Sequence, residues 1–530
     1  MRKPISAALG LLLFVLLLPA RSHGEQQFGA VNFPVSCSPA AQEQFNRAVA
    51  MLHSFFLGTG KAFTAVSEID PSCAMAYWGL AMGNRVNPLV GPMNSKAVES
   101  AVDAISKAKA VGAKTPRERA YIDAMEAYWR GGTTVEHLTR ARAYEAAMAD
   151  LHQRYPDDTE GAIFYALALN EAADPTDTTY ASQIKAGRIL EAVFAQQPDH
   201  PGVAHYLIHT YDYAPLAQRG LPAARRYAAL APSSAHALHM PSHVFSMLGY
   251  WQDSIESNIA ALAASKAYSE KNLGGLVLWT HQWDFMVYAY LQGSRDLHAK
   301  QVLDERNAVE PKNVAATNIA FSSGYAAIPV RYAIERGQWA EARALDAPAT
   351  TYPYIEAITA FARGIGAARS DDATAARQEA DKLQAIRTRL LEAKDTYWAE
   401  QTEILRLAIV AWAGRNNQAS ALQLMRSAAD LEDTSVKHIA MENRLVPMRE
   451  LLGELLLEAG QPAAALREFE RSLQNAPNRF RSFYGAAQAA VRAGDTAKAR
   501  ANYEKLVALC ERADSERPEL TEARAFLARR

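Results

Sequence analysis

The chain is poor in the features that mark most other fold classes. Its 530 residues include three cysteines and no Cys-x-x-Cys, so a thiolate metal site or a dithiol redox motif is excluded. Neither sign of charge is in surplus. Fifty-six Lys and Arg stand against 57 Asp and Glu, for a net charge of -1, and no basic footprint for nucleic acid exists. Charged residues make up 21% and hydrophobic residues 49%, which excludes a globally disordered chain. Sustained alternation of β-branched and polar residues is missing, so strands are not expected. A GxSxG elbow, a phosphate-binding glycine loop and HExxH are also absent. After the N-terminus no run of eighteen apolar residues occurs, so no membrane-spanning helix is expected there.

The first residues carry an export pattern. Met1-Arg2-Lys3 is basic, the stretch from Ala7 to Ala20 is apolar, and Ser22-His23-Gly24 offers small residues at a cleavage site. Residues 1–24 read as a secretory signal peptide cut after Gly24, which places the mature protein in the periplasm or outside the cell. Cys37 and Cys73 could pair in such an oxidising compartment, leaving Cys510 over. Residues 25–39 read as an extended leader. Residues 173–180 and 304–317 read as polar loops.

Alanine is by far the commonest residue, and it favours helices that approach closely. The chain is also periodic. Gly460-Gln461-Pro462, then Ala465, Phe469 and Ser472, recur one period later as Gly494-Asp495, Ala499, Tyr503 and Leu506. Fainter turns of the same kind fall at Gly249, Gly293-Ser294, Gly337, Ser370-Asp371 and Gly414. Asp70-Pro71 with Ala74-Met75-Ala76-Tyr77-Trp78-Gly79 reads as one more repeat junction. An all-α solenoid of helix–turn–helix repeats follows. We divide it into N-terminal repeats (25–155), central repeats (156–310) and C-terminal repeats (311–530), clearest at 446–513.

The step from Gly460 to Gly494 resembles the period of the tetratricopeptide repeat, about 34 residues. The phrases Leu52-His53-Ser54-Phe55, His200-Pro201-Gly202-Val203-Ala204-His205 and His239-Met240-Pro241-Ser242-His243 resemble a group of exported bacterial tetratricopeptide-repeat proteins. That resemblance implies architecture, and the superfamily implies a concave groove that takes a peptide or a partner protein.

Seven of the thirteen histidines lie between His200 and His281. His205 and His209 are spaced i, i+4, as are His239 and His243, so each pair shares one helix face. The two pairs are one repeat period apart, His205 with His239 and His209 with His243. In the repeat they fall at positions that the resemblance places along the groove, with His236, Asp212 and Tyr213 at neighbouring groove positions. Four imidazoles on two stacked helices are therefore expected to meet on one transition-metal ion. His281 is a fifth candidate ligand or part of a second site. Tyr206 and Trp283 are expected beside the groove. His53, His137, His152, His298 and His438 read as ordinary packed histidines, and His200 as the start of a helix. Pro241 between His239 and His243 requires a helix that starts late or kinks.

Neutral imidazoles suit Zn, Cu, Fe or Ni. Asp212 and Asp284, each three residues after a histidine, could ligate, orient an imidazole or act as a base. Asp212, Asp284 or Glu256 could serve as that base only if folding brings it to the site. Two functions follow: a binding or scaffold protein for a peptide, protein or small molecule that carries a metal, or a metal-dependent enzyme, hydrolytic or redox, using the same ions.

Overall fold

The computed structural model describes residues 27–90, 94–270, 276–309, 319–438, 441–442 and 444–529. The signal-peptide reading of residues 1–24 lies outside them. Among the described residues every regular element is a helix. None of those helices is long and apolar enough to cross a membrane.

The clearest repeats build the clearest helix pairs. Met448–Glu458 is followed by Pro462–Asn475, and Phe480–Ala493 by Thr496–Leu509. Gly460 and Gly494 take φ of 69° and 77° between the helices of each pair, a conformation that costs glycine little. Asp495 caps the next helix by accepting from the Lys498 amide. The period's aromatic positions, Phe469 and Tyr503, are fully buried. A Cβ on Gly485 would come within 2.3 Å of the Phe469 ring. The same arrangement holds at the other end of the chain: a Cβ on Gly79 would come within 2.2 Å of Phe63. In both cases the ring belongs to one helix and the glycine to the next. Four of the fainter turns also have positive φ, at Gly249, Ser294, Gly337 and Asp371, while Gly414 ends its helix with φ of -96°.

Two sequence expectations need adjustment. The loop expected from 304 begins later, because the helix Asp296–Asn307 continues through its first residues. Pro241 splits a helix in two, giving Ala235–His239 and Pro241–Met247, with Pro241 opening the second. The residues 27–38 are extended as expected, and they are tied to the body. Phe28 and Phe33 are buried, and Cys37 is disulfide-bonded to Cys73, next to the helix Ala74–Gly83.

The superhelix folds back on itself, so its inner wall is covered. Trp251 Nε1 donates to the Asn478 carbonyl at 2.7 Å. Asp514 accepts from the Leu297 and His298 amides at 2.9 and 3.1 Å. Buried Arg479 ties Glu335 to Glu450, each at 2.7–2.8 Å. Lys437, in the connection after the helix Gln418–Asp433, reaches Asp212 at 2.9 Å. The histidine-rich helices therefore face a closed interior, where the sequence suggested an open groove.

Candidate metal centre

Two triads of histidine occupy this interior. His205 and His209, on the helix Pro201–Thr210, meet His236 from the helix Ala235–His239. His239 and His243 meet His281 from the helix Leu276–Gln292. Within each triad the ligand nitrogens lie within 4.8 Å of one another. Five of the six residues are buried, and His236 is partly exposed. The triads adjoin: the rings of His209 and His243 are 6.5 Å apart, centre to centre. The two i, i+4 pairs thus come together as the spacing requires, but each recruits its own third histidine. They do not form one four-histidine site. The break at Pro241 places His239 and His243 on separate short helices that turn toward the helix bearing His281.

Outer hydrogen bonds orient three of the rings. His243 Nδ1 donates to Asp212 Oδ2 at 2.8 Å. His239 Nδ1 donates to Asn258 Oδ1 at 2.6 Å, and the Asn258 amide nitrogen donates to the Ser254 carbonyl. His205 Nδ1 donates to the main-chain carbonyl of His53 at 2.5 Å. Carboxylate and carbonyl oxygens only accept, so these Nδ1 atoms carry the protons and Nε2 is left as a bare lone pair. His239 Nε2 and His243 Nε2 then face each other at 3.1 Å. His205 Nε2 and His236 Nε2 lie 3.0 Å apart. Two nitrogens each about 2.0–2.1 Å from one ion have this separation when the ligand–metal–ligand angle is near 95–100°. His209 is buried with neither ring nitrogen hydrogen-bonded.

Burial is the chief cause that holds all six imidazoles below their ordinary pKa, with neighbouring cationic forms adding to it in most. His205, His209, His236, His243 and His281 are pushed well below 6.5, and His239 is pushed down to about 4. Such rings are neutral at pH 7, the form that binds metal. One phenyl ring backs each triad. Phe55 stands 4.5, 5.8 and 5.6 Å from the rings of His205, His209 and His236. Phe285 stands 4.9, 4.7 and 5.1 Å from those of His239, His243 and His281.

The remaining candidates fall outside the ligand positions. Asp212 is an orienter of His243 and the partner of Lys437, and burial raises its pKa against the pull of that ammonium. Asp284 pairs with buried Arg331 at 2.7 Å. Glu256 is exposed and accepts from Gln252. Tyr206 bonds His53 Nδ1 at 3.0 Å. Trp283 packs in the apolar core with Trp251 and Val287. Tyr213 lines a cavity of about 390 Å³ that also touches His209, Tyr397, Trp398, Lys437 and His438. This cavity gives the first triad a route to the outside.

Sequence reasoning missed the part played by His53. It sits with Glu160 and His200 in a third polar cluster. Both rings bond Glu160, at 2.8 and 2.9 Å, and His200 caps its helix by accepting from the Val203 amide. Every ring nitrogen of that cluster has a protein partner, so it reads as a hydrogen-bonded brace beneath the first triad. No motif announced it, because Glu160 lies 107 residues from His53.

No protein-family model and no curated protein matches the chain. Among solved structures, human IFIT1 in a dimer with m7Gppp-AAAA is similar over 90% of this chain and 96% of its own, with 12% identity and a TM-score of 0.33. The APC/C hetero-tetramer Cut9-Hcn1 matches over 92% and 95%, with 10% identity and a TM-score of 0.28. The P58(IPK) TPR domain matches over 93% and 100%, with 12% identity and a TM-score of 0.19. The fold assignment rests on this chain's own helix pairs and not on these likenesses.

Proposed function

We propose that this chain is an exported helical-repeat protein that binds two transition-metal ions, one in each histidine triad. The observation that carries this reading is the pair His239 Nε2 and His243 Nε2, 3.1 Å apart with both Nδ1 atoms committed as donors. Two unprotonated nitrogens at that distance repel, and a shared cation removes the repulsion. Zn, Cu, Fe and Ni all accept imidazole ligands. The repeats serve as the frame, and a peptide, protein or small-molecule partner on the solenoid fits what helical-repeat surfaces do. Export is supported by the leader of residues 1–24 and by the Cys37–Cys73 disulfide.

A second reading, a metal-dependent enzyme, is favoured by the cavity that meets His209. Elemental analysis of untagged protein, loaded with metal and desalted, tests the shared premise. About two ions per chain are expected, falling to one in His239→Ala/His243→Ala and to one in His205→Ala/His209→Ala. Fewer than a half ion per chain in the folded wild type would overturn it.

A further inference from the structure

We propose that the two triads act as one dinuclear copper centre that binds dioxygen between its ions; the inference rests on the metal-binding reading above.

The ligand set carries no charge. Six imidazoles are neutral, Asp212 is paired with Lys437, and Asp284 shares Arg331 with buried Glu442. Two divalent ions would bring four positive charges against a ligand set that is itself neutral. The cost of burying charge grows with its square, so this arrangement costs more than one that brings half the charge. Two copper(I) ions bring half that charge. Copper is also the metal that N-donor sites hold most tightly among the divalent first-row ions once oxidised.

Dioxygen then completes the centre. Each copper(I) gives up one electron, both enter the π* orbitals of dioxygen and lower the O–O bond from double to single, and the resulting peroxide bridges two copper(II) ions. No proton or outside reductant enters this step. The peroxide carries two negative charges and the coppers gain two positive ones, so the net charge of the buried centre stays constant. A low-dielectric site therefore resists this oxidation far less than it resists oxidation of the ions alone. Bridging requires that both ions reach the same small molecule, and the two triads lie side by side. The triads adjoin at His209 and His243, whose ring centres are 6.5 Å apart. Each has three ligands, which leaves an open position per ion. The cavity at His209 and Lys437 lets a gas reach the first triad. Phe55 and Phe285 close the two outer sides.

The full chain, loaded with copper(I) without air, is titrated with dioxygen while copper is counted and electron paramagnetic resonance is recorded. Uptake of one dioxygen per two coppers, with a new near-ultraviolet absorption and almost no copper(II) signal, is expected because a bridge couples the spins. His236→Gln alters the partly exposed triad member and should disturb the fold least. It should abolish dioxygen uptake and raise the copper(II) signal in air from near zero to about one spin per chain. Two bound coppers with no dioxygen uptake, or with two uncoupled copper(II) signals, would overturn the dinuclear centre and leave metal binding intact. Retention of another metal in place of copper would do the same. Failure of every metal to bind would overturn both readings.

Discussion

Phe55 and Phe285 hold equivalent places from distant parts of the chain: each packs against all three imidazoles of one triad, with ring centres 4.5–5.8 Å away for Phe55 and 4.7–5.1 Å for Phe285. Such rings exclude water from the outer side of the ligands and fix their tilt. Phe285 is fully buried, so Phe285→Ala should destabilise the protein by about 3–5 kcal/mol. It should also weaken metal binding at the second triad while sparing the first. Denaturant melts with and without metal check both effects.

Asp212 is the hinge between the second triad and the chain that covers it. It accepts from His243 Nδ1 and from Lys437 Nζ. Asp212→Ala should reduce affinity at the second triad about 10–100-fold, the usual effect of losing a carboxylate behind a ligating imidazole. Competition with a metal-binding dye measures it. Unchanged affinity would show that His243 is held by packing alone.

The metal-free protein should be acid-sensitive over a defined window. Six histidines have folded pKa values below 6.5, one of them about 4. Below pH 6.5 the unfolded chain binds their protons while the folded chain does not, and for His239 this window runs down to about pH 4. Stability is therefore intact above pH 6.5 and falls as pH drops, by up to ~1.4 kcal/mol per pH unit for each histidine. Thermal melts from pH 8 to pH 4.5 should show the midpoint falling steeply below pH 6.5. A flat profile would mean that the triads are already open to water.

Reduction of Cys37–Cys73, or Cys37→Ser/Cys73→Ser, removes the covalent tie that holds the extended residues 27–38 to the first helices. It leaves only the burial of Phe28 and Phe33 and hydrogen bonds such as that from the Val35 amide to Gln42 to hold them. The bond closes a loop of moderate length, so the loss should be about 2–5 kcal/mol. Melts in the presence and absence of reductant measure it. Proteolysis should then begin in the released segment.

How much of this was legible in the sequence depends on the range of the interaction. Turn glycines, the aromatic–small pairs and the two HxxxH faces are set within one repeat, and they stand where the repeat period puts them. His236 and His281 complete the triads from other helices, each beyond an intervening helix, Ala217–Leu230 after His209 and Trp251–Glu270 after His243. The period alone paired the histidines with each other instead, which gave one site of four. Pro241 carried the missing information, since the break it forces turns His239 and His243 toward the helix of His281. The closure of the groove by Lys437 was not readable, because Asp212 lies 225 residues away and surface lysines are common. His53 looked like any core histidine, and its partners Glu160 and Tyr206 lie in other repeats.

Anomalous diffraction from metal-loaded crystals tests the central claim most directly. Two separate peaks are expected, one within about 2.0–2.2 Å of nitrogens of His205, His209 and His236, the other at the same distance from those of His239, His243 and His281. A single peak shared by His205, His209, His239 and His243, or no peak at either triad in protein saturated with metal, would contradict it.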